Sequence, residues 1–460
     1  MSAARPVVNS WDVFDTLLTR FVPEPSYVFE AMDRRHEGFR QARLGAQAAL
    51  DKIGKPYVIF DIYGQMVAAG MDKEAARTLL AEELATERAL MFPIRKAVAQ
   101  VAPTDLIISD MYLSSEHITS LLADVCGLHT QPPIIRGNWG KHTGTIWPKI
   151  LQNYVIRTHY GDNPAADSAV PQKYGISTVL LRDFELTSWE AMLAKAGLTQ
   201  LARILREVRL RSLLAESGVF EALAAGPYLA LLLAYACYLP MQFGGDAVFG
   251  FLSRDCDDLA RVFRAVNPAA KCFNVDLSRR LARDSALEGV FRDLLPEPCV
   301  LVDGVSTGRS ARGLLERIGQ GGRAFTTLLW LDNLMRPEDA AFTGSFVHKA
   351  SEFSGWHYAL EFLLQSPYPP VTTLAHDAAS GGIIRGFGAP ELTPAEARLI
   401  GAKAEIVTRF LRAIRARGLP ALTQPQCTAL IKASIETIIN TQMPATLFPS
   451  FMAREKFAPF

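Results

Sequence analysis

Short apolar runs, four to six residues long and bounded by polar or small residues, recur along the chain. In the first half they fall at 7–11, 106–109 and 177–181, and in the second at 247–252, 299–302 and 328–331. Short continuous runs without alternation are the pattern of strands buried on both faces. Between them apolar residues return at helical spacing: Tyr27, Val28, Phe29 and Met32, then 46–53, 75–90, 187–224, 258–266, 311–318 and 393–440. Strands alternating with helices predict an α/β protein with parallel sheets. The helices between about 20 and 98 interrupt that alternation and predict an all-helical insertion after the first strand.

The pattern divides the chain into an N-terminal α/β domain (1–186), a helical connector (187–225), a second α/β domain (226–390) and a C-terminal helical region (391–460). The last would form a terminal layer or the interface of a homo-oligomer. A chain of 460 residues has room for two or three domains. Its apolar content of 49% and charged content of 21% are those of an ordinary globular protein. A formal net charge of +1 gives no global electrostatic reason to bind nucleic acid. The six cysteines are scattered without a CxxC pair, as expected of free thiols in a reducing cytoplasm. No signal peptide is read at the N-terminus. The greasiest stretch, 228–239, is about a dozen residues, short of the roughly 20 that span a bilayer, so a buried helix and no transmembrane segment are expected.

The candidate chemistry lies at strand ends. The first strand is followed by Asp12, Val13, Phe14, Asp15, Thr16 and Leu17. The run 106–108 ends in Ser109, Lys141 follows, and Tyr160-Gly161-Asp162 precedes Asp167 by a few residues. In this order and spacing the segments resemble the four motifs of haloacid-dehalogenase-like (HAD) hydrolases. The resemblance implies a Rossmannoid domain whose helical insertion is a cap over the site. Asp12 would be the nucleophile, Ser109 a hydrogen-bond donor to a phosphoryl oxygen, and Lys141 a charge neutraliser. Mg²⁺ would be held at Asp12, Phe14, Asp162 and Asp167. Attack by a carboxylate on a phosphoryl group requires this cancellation of negative charge. One departure stands out: phosphatases of the family carry an acid/base Asp where this chain has Phe14. Asp15, Asp110 or a water would have to take its place. The dehalogenase branch also has an aromatic residue there, but that chemistry would leave the second half of the chain unexplained.

The second half carries its own phosphate signal. Residues 301–310 read LVDGVSTGRS: an apolar strand ending in Asp303, a small and hydroxylated loop, then a helix from 311 to 318. Such a loop directs N–H groups and hydroxyls at one point, beside the positive end of a helix dipole. The string resembles the phosphoribosyl-diphosphate (PRPP) loop of type I phosphoribosyltransferases. That resemblance implies ribose contacts from Asp303 and a 5-phosphate surrounded by Gly304, Val305, Ser306, Thr307, Gly308, Arg309 and Ser310. Gly304 stands where that family has a second acid. Upstream, Ser253, Arg254 and Asp255 follow a strand and resemble the family's pyrophosphate loop. Arg279 and Arg280, with Arg283, lie where its mobile hood supplies cations. Residues 356–370 mix aromatics, prolines and one acid, and suit either a carbohydrate acceptor site or a packed domain edge.

Taken whole, the chain resembles bacterial two-domain proteins that join a HAD domain of the FDxFDTLLTR and SDMYL type to a C-terminal domain with an SRD loop, and that accompany polysaccharide glycosyltransferases. The resemblance implies a ribofuranosyltransferase. The second domain would transfer 5-phosphoribosyl from PRPP to a glycan acceptor, lipid-linked at the inner membrane face or free in the cytoplasm, with a β-linkage. The first domain would then remove the 5-phosphate. The alternatives are a HAD phosphatase with a non-catalytic binding module, and a base or nucleotide phosphoribosyltransferase.

Overall fold

The computed structural model describes residues 4–135, 140–306, 308–331, 347–348, 357–377, 380–441, 443–449, 451 and 453. Two compact units divide the chain: Met1–Met192 with Ala202–Glu216, and Leu193–Leu201 with Ser217–Phe460. Both are built on a parallel sheet flanked by helices.

In the first unit β1 (Val7–Trp11) leads through a tight turn into β2 (Leu18–Arg20). Four helices follow: α1 (Tyr27–Asp33), α2 (Phe39–Ile53), α3 (Ile59–Ala68) and α4 (Lys73–Leu90). The strand β3 (Met91–Pro93) then pairs antiparallel with β2, so a two-stranded ribbon closes the stem of the helical insertion. Beyond it β4 (Leu106–Ser109), β5 (Ile134–Ile135), β6 (Val155–Gly161) and β7 (Ser177–Leu180) complete the sheet in the order β5-β4-β1-β6-β7. Both faces of that sheet are covered, which is why β4 reads as an unbroken apolar run. Its Leu106 and Ile108 pack with Val8, Trp147 and Ile156 on one side. Its Ile107 joins Trp11, Val13 and the insertion's Met32 and Ile62 on the other. The buried Asp105 ties the start of β4 to β1, accepting from the Asn9 N–H at 3.1 Å and the Trp11 indole at 2.8 Å.

The insertion carries two internal ion pairs that are almost wholly buried. Arg43 on α2 donates to Glu83 on α4, with Nε 3.0 Å from Oε2, and Tyr63 on α3 donates to the same carboxylate at 2.8 Å. Arg20 donates from Nε to Glu87 at 2.9 Å. Each acid is thus satisfied by more than one donor, the condition under which a buried charge is tolerated.

The second unit repeats the layered architecture with another strand order. Its strands β8 (Phe249–Ser253), β9 (Cys272–Asp276), β10 (Val300–Ser306), β11 (Phe325–Leu331) and β12 (Val347–His348) run in the order β12-β11-β10-β8-β9. An antiparallel hairpin of β13 (Val371–His376) and β14 (Ile383–Phe387) follows. The helix Leu229–Phe243 is apolar all round and packs against the helices Asp257–Val266 and Gln424–Asn440, as an interior helix must. Tyr358 packs edge-on against Phe451, so this part of 356–370 is a packed edge.

Two expectations need correction. The apolar helical stretch is longer than a dozen residues: Val219–Phe243 forms 25 residues with the length and composition to cross a membrane. However, 83% of its most apolar part is buried inside the protein, as in a core helix. The strand expected to end at Asp303 instead continues to Ser306, because β11 pairs along its whole length, with Asp303 opposite Thr327 and Ser306 opposite Trp330. The helix begins at Arg309, two residues earlier than expected, so little loop remains.

A buried charge network fastens the second unit's helices. Lys403, fully buried, lies 2.7 Å from Asp258 and donates to the carbonyls of Leu363 and Gln365 at 2.8 and 2.6 Å. Losing Lys403 leaves Asp258 to Tyr228 and the partly exposed Arg261 and unpairs the two buried carbonyls, so Lys403→Met should destabilise this unit by about 3 kcal/mol in denaturant titration. Adding Asp258→Asn should recover part of that loss; a double variant no better than Lys403→Met would show that the pair does not set the cost.

Candidate functional site

Parallel sheets place their strand ends on one side, and the crevice opens where the chain reverses its direction of strand addition. In the first unit β1 is flanked by β4 and β6, so Asp12, Ser109 and Asp162 emerge together at that crevice. The Asp12 N–H donates to the Tyr160 carbonyl at 2.8 Å and fixes the turn to β6. Lys141 Nζ donates to Asp12 and, at 2.6 Å, to Asp167 Oδ1. Oxygens of Asp12, Asp162 and Asp167 lie within 4.8 Å of one another. Ser109, buried, accepts the Met111 N–H at 3.2 Å, which leaves its hydroxyl proton to donate.

Electrostatics make the triad a candidate cation site. Three carboxylates surround one ammonium, which leaves excess negative charge in a place water scarcely reaches. Burial, with Asp167 and Asp162 nearby, outweighs Lys141 and pushes the Asp12 carboxyl up to about 8. Burial and the charges of Asp167 and Asp15 push Asp162 up to about 6. Burial acts the same way on Asp167, but Lys141 and His159 outweigh it and hold that carboxyl well below its usual range. Burial opposes the charge on Lys141, yet its two aspartates raise it above the usual lysine value. The donors are all hard oxygens, and the surplus charge is that of a site able to hold a divalent metal ion.

Two supporting residues, and the role of a third, escaped the sequence reading. His159 is fully buried; its Nε2 lies 3.1 Å from Asp167 Oδ1 and its Nδ1 2.8 Å from Ser10 Oγ. Burial depresses its pKa, so the neutral ring donates from Nε2 to Asp167 and accepts the Ser10 hydroxyl at Nδ1. Its signal was a histidine at an inward position of a buried strand. Gly161 is the third: a Cβ there would overlap the Asp167 side chain, coming 2.5 Å from its Oδ2. Only glycine lets Asp167 fold back beneath the end of β6.

Asp15 and Asp110, the two carboxylates expected to stand in at Phe14, both line the site. Phe14 lines the site, and Arg20 lies over its ring at 5.3 Å, so its side chain offers no ligand or proton. Asp110 accepts the backbone N–H groups of Lys141 and His142 at 2.7 and 3.0 Å and so orders the lysine loop. Asp15 lines the same cavity with φ +58°, a conformation few residues other than glycine adopt. Thr19 donates to its carboxylate at 2.5 Å, and Arg206 donates to Thr19 at 2.9 Å. A strained aspartate held this firmly beside the triad fits a functional role.

The second unit reverses at β8, bringing the ends of β8 and β10 side by side. The expected residues meet there in part. Asp303 accepts the Gly304 N–H at 2.8 Å. Burial raises its carboxyl, against Ser306, Gly304 and the charge of Arg279. Gly304 has a steric reason: a Cβ there would come 2.8 Å from Asp255 Cβ and 3.1 Å from Leu364. Asp255, from the neighbouring strand end, thus lies against Gly304. The Ser253 hydroxyl donates to the Asp257 carboxylate at 3.0 Å, and Arg254 pairs with Glu391 at 3.0 Å. Gly308, at φ +71°, starts the helix Arg309–Arg317, and its N–H donates to Ser306 at 3.1 Å. Val305 is buried, Ser310 half-buried and Arg309 exposed. Arg280 is also exposed, with no contact to the strand ends among the described residues. Thr307 lies outside the described residues. No protein-family profile matches the chain, and no curated protein is detectably similar to it.

Two measurements test the first site. Asp162 and Asp12, raised from 3.8 to about 6 and about 8, fold most favourably when protonated. Their contribution to stability is full below about pH 4 and is lost as pH rises through 6 and then 8. A divalent cation needs both deprotonated, so the rise in Tm on adding it should grow between pH 6 and 8.5; a constant rise would place the ion elsewhere. Gly161→Ala should displace Asp167 and weaken cation binding at least tenfold by calorimetry, while unchanged affinity would clear Gly161.

Proposed function

We propose that the chain is a bifunctional ribofuranosyltransferase. In this reading the second unit transfers 5-phosphoribosyl from PRPP to a glycan hydroxyl, and the first, a HAD-like phosphohydrolase, removes the 5-phosphate. The observation that supports the phosphohydrolase half is Lys141 held between Asp12 and Asp167, with Asp162 adjacent, at the carboxyl ends of parallel strands; the transfer half rests on the resemblance of 301–310 to a PRPP loop. Mg²⁺ suits those oxygens and would be held by Asp12, Asp162 and Asp167, supplying charge neutralisation for a phosphoryl group. The same cluster is the HAD signature on which the sequence resemblance rests.

The hydrolytic step follows from the chain's own groups. An Asp12 carboxylate oxygen attacks phosphorus, the ester P–O bond breaks, and the sugar oxygen takes a proton from Asp15. Lys141 and the Ser109 hydroxyl stabilise the phosphoryl oxygens. Water then gives a proton back to Asp15 and attacks the aspartyl-phosphate, releasing phosphate and free Asp12. In the transfer step the acceptor oxygen bonds C1 of PRPP, the bond from C1 to pyrophosphate breaks, and the hydroxyl proton passes to water. Asp303 would orient the ribose hydroxyls beside Asp255.

One observation favours a second reading, a phosphohydrolase with a ligand-binding second unit. The strand β10 continues to Ser306 and a helix starts at Arg309, so the phosphate loop is short. Incubation with PRPP, Mg²⁺ and glycan acceptors, read by mass, separates the two. The bifunctional reading expects a gain of phosphoribosyl and then loss of phosphate, whereas PRPP binding without any mass change favours the second.

Asp12→Asn should stop dephosphorylation and let the phosphoribosylated acceptor accumulate; loss of pyrophosphate release as well would refute two separate sites. Asp15→Asn, which tolerates the same backbone conformation, should slow phosphate release by roughly 10²- to 10⁴-fold with little change in KM. Asp303→Ala should abolish transfer while hydrolysis of a pre-made phosphoribosyl glycan continues, and full transferase activity would exclude Asp303.

A further inference from the structure

We infer that helix α2 makes the first unit selective for one phosphate on a neutral, hydroxyl-rich body, with Asp51 as the residue that recognises the hydroxyls. The inference rests on the phosphohydrolase reading and adds a substrate class to it. The triad opens into a cavity of about 620 Å³ whose other wall belongs to the helical insertion. On α2 that wall is Leu44, Gln47, Ala48 and Asp51, one stripe at helical spacing. The adjoining stripe, Phe39, Arg43 and Ala46, is buried. So α2 anchors on one side and presents a short mixed surface on the other.

The two polar groups of that surface are fixed by neighbours that leave one end of each to the cavity. Arg43 donates to Gln47 Oε1 at 2.9 Å, so the amide turns its NH₂ away from the arginine. Tyr57 donates to Asp51 Oδ1 at 2.7 Å and holds the carboxylate in one orientation. A carboxylate acceptor and an amide donor, with Leu44 and Ala48 between them, match the hydroxyls and carbon skeleton of a sugar or polyol.

Charge narrows the class further. The cavity is lined by six aspartates, Asp12, Asp15, Asp51, Asp110, Asp162 and Asp167, against Arg20 and Lys141. Arg20 is paired with Glu87, and nearby Arg43, fully buried, with Glu83. Lys141 sits at the inner end between Asp12 and Asp167. The first phosphate meets Lys141 and a bound cation, but a second phosphate at the α2 end would meet Asp51 and, among the described residues lining that wall, no cation. A nucleoside polyphosphate or sugar bisphosphate is therefore disfavoured.

The test compares kcat/KM for ribose 5-phosphate, fructose 1,6-bisphosphate and p-nitrophenyl phosphate, with Mg²⁺, in the full chain. Wild type should prefer ribose 5-phosphate over the bisphosphate by at least about tenfold. Asp51→Ala should lower the ratio of ribose 5-phosphate to p-nitrophenyl phosphate about tenfold, chiefly through KM, a loss of the size expected for a charged hydrogen bond. Asp51→Asn, which can still accept from Tyr57, should lower it less, and Asp51→Lys should narrow the discrimination against the bisphosphate. Purely structural damage would lower both rates together and leave the ratio unchanged; that result, or equal use of the bisphosphate by wild type, overturns the inference. Absence of phosphate release from all three substrates would instead overturn the phosphohydrolase reading, and this inference with it.

Discussion

Withdrawing Asp12, Asp162 and Asp167 from water around a single ammonium leaves the first unit with more negative charge than it can balance alone. A buried, unpaired carboxylate costs several kcal/mol, and the usual escape is to take up a proton. The raised carboxyls of Asp12 and Asp162 are that escape. A divalent cation offers another, and it is the one that leaves Asp12 ionised. Asp15 and Asp110, with Asp51 on the helical insertion, add to the same surplus. An anion entering the cavity would therefore be drawn to Lys141 and a bound cation.

Holding that arrangement takes much of the surrounding fold. Parallel pairing of β1 with β4 and β6 brings the three strand ends level. The absence of a side chain at Gly161 lets Asp167 approach from beneath. His159, backed by Ser10, occupies one lone pair of Asp167 while Lys141 takes another, and the Asn163 N–H holds the second oxygen at 3.0 Å. Asp167 is thus the most constrained of the three, and Asp162, which a backbone N–H and a long 3.5 Å contact from Thr16 hold, is less so. The constrained acid positions the lysine, and the looser one is free to adjust to a ligand.

Asp12, Ser109 and Asp162 were legible in the sequence because they follow apolar strands in order, and strand ends converge by topology alone; Lys141 was placed by the resemblance, and Arg20 and Asp51 on the cavity wall went unread. The α/β class and the helical insertion were legible for the same reason, since burial on both faces writes itself as short apolar runs. What escaped were consequences of three-dimensional packing. Gly161 differs from any other strand-end glycine only by what a Cβ would strike, and His159 only by the aspartate it meets eight positions later. The end of β10 was misplaced because small and hydroxylated residues resemble a loop. Pairing with β11, together with the Thr327 hydroxyl on the Gly304 carbonyl at 2.7 Å, outweighs that weak local preference.

The two crevices differ in how far their polar groups are already satisfied. In the first unit the triad is in deficit and calls for a cation. In the second, Arg254 faces Glu391, Ser253 serves Asp257, and Asp303 is held by Gly304, Ser306 and Arg279. A ligand there would have to replace partners instead of meeting bare groups. Magnitudes show that this is no obstacle. Arg254 and Glu391 are 24% and 35% exposed, and such a bridge is worth about 1 kcal/mol or less. A pyrophosphate accepting two charge-assisted bonds from the same guanidinium gains more. A pairing this weak can yield Arg254 to an anion, as a fully buried pair such as Lys403 with Asp258 would not.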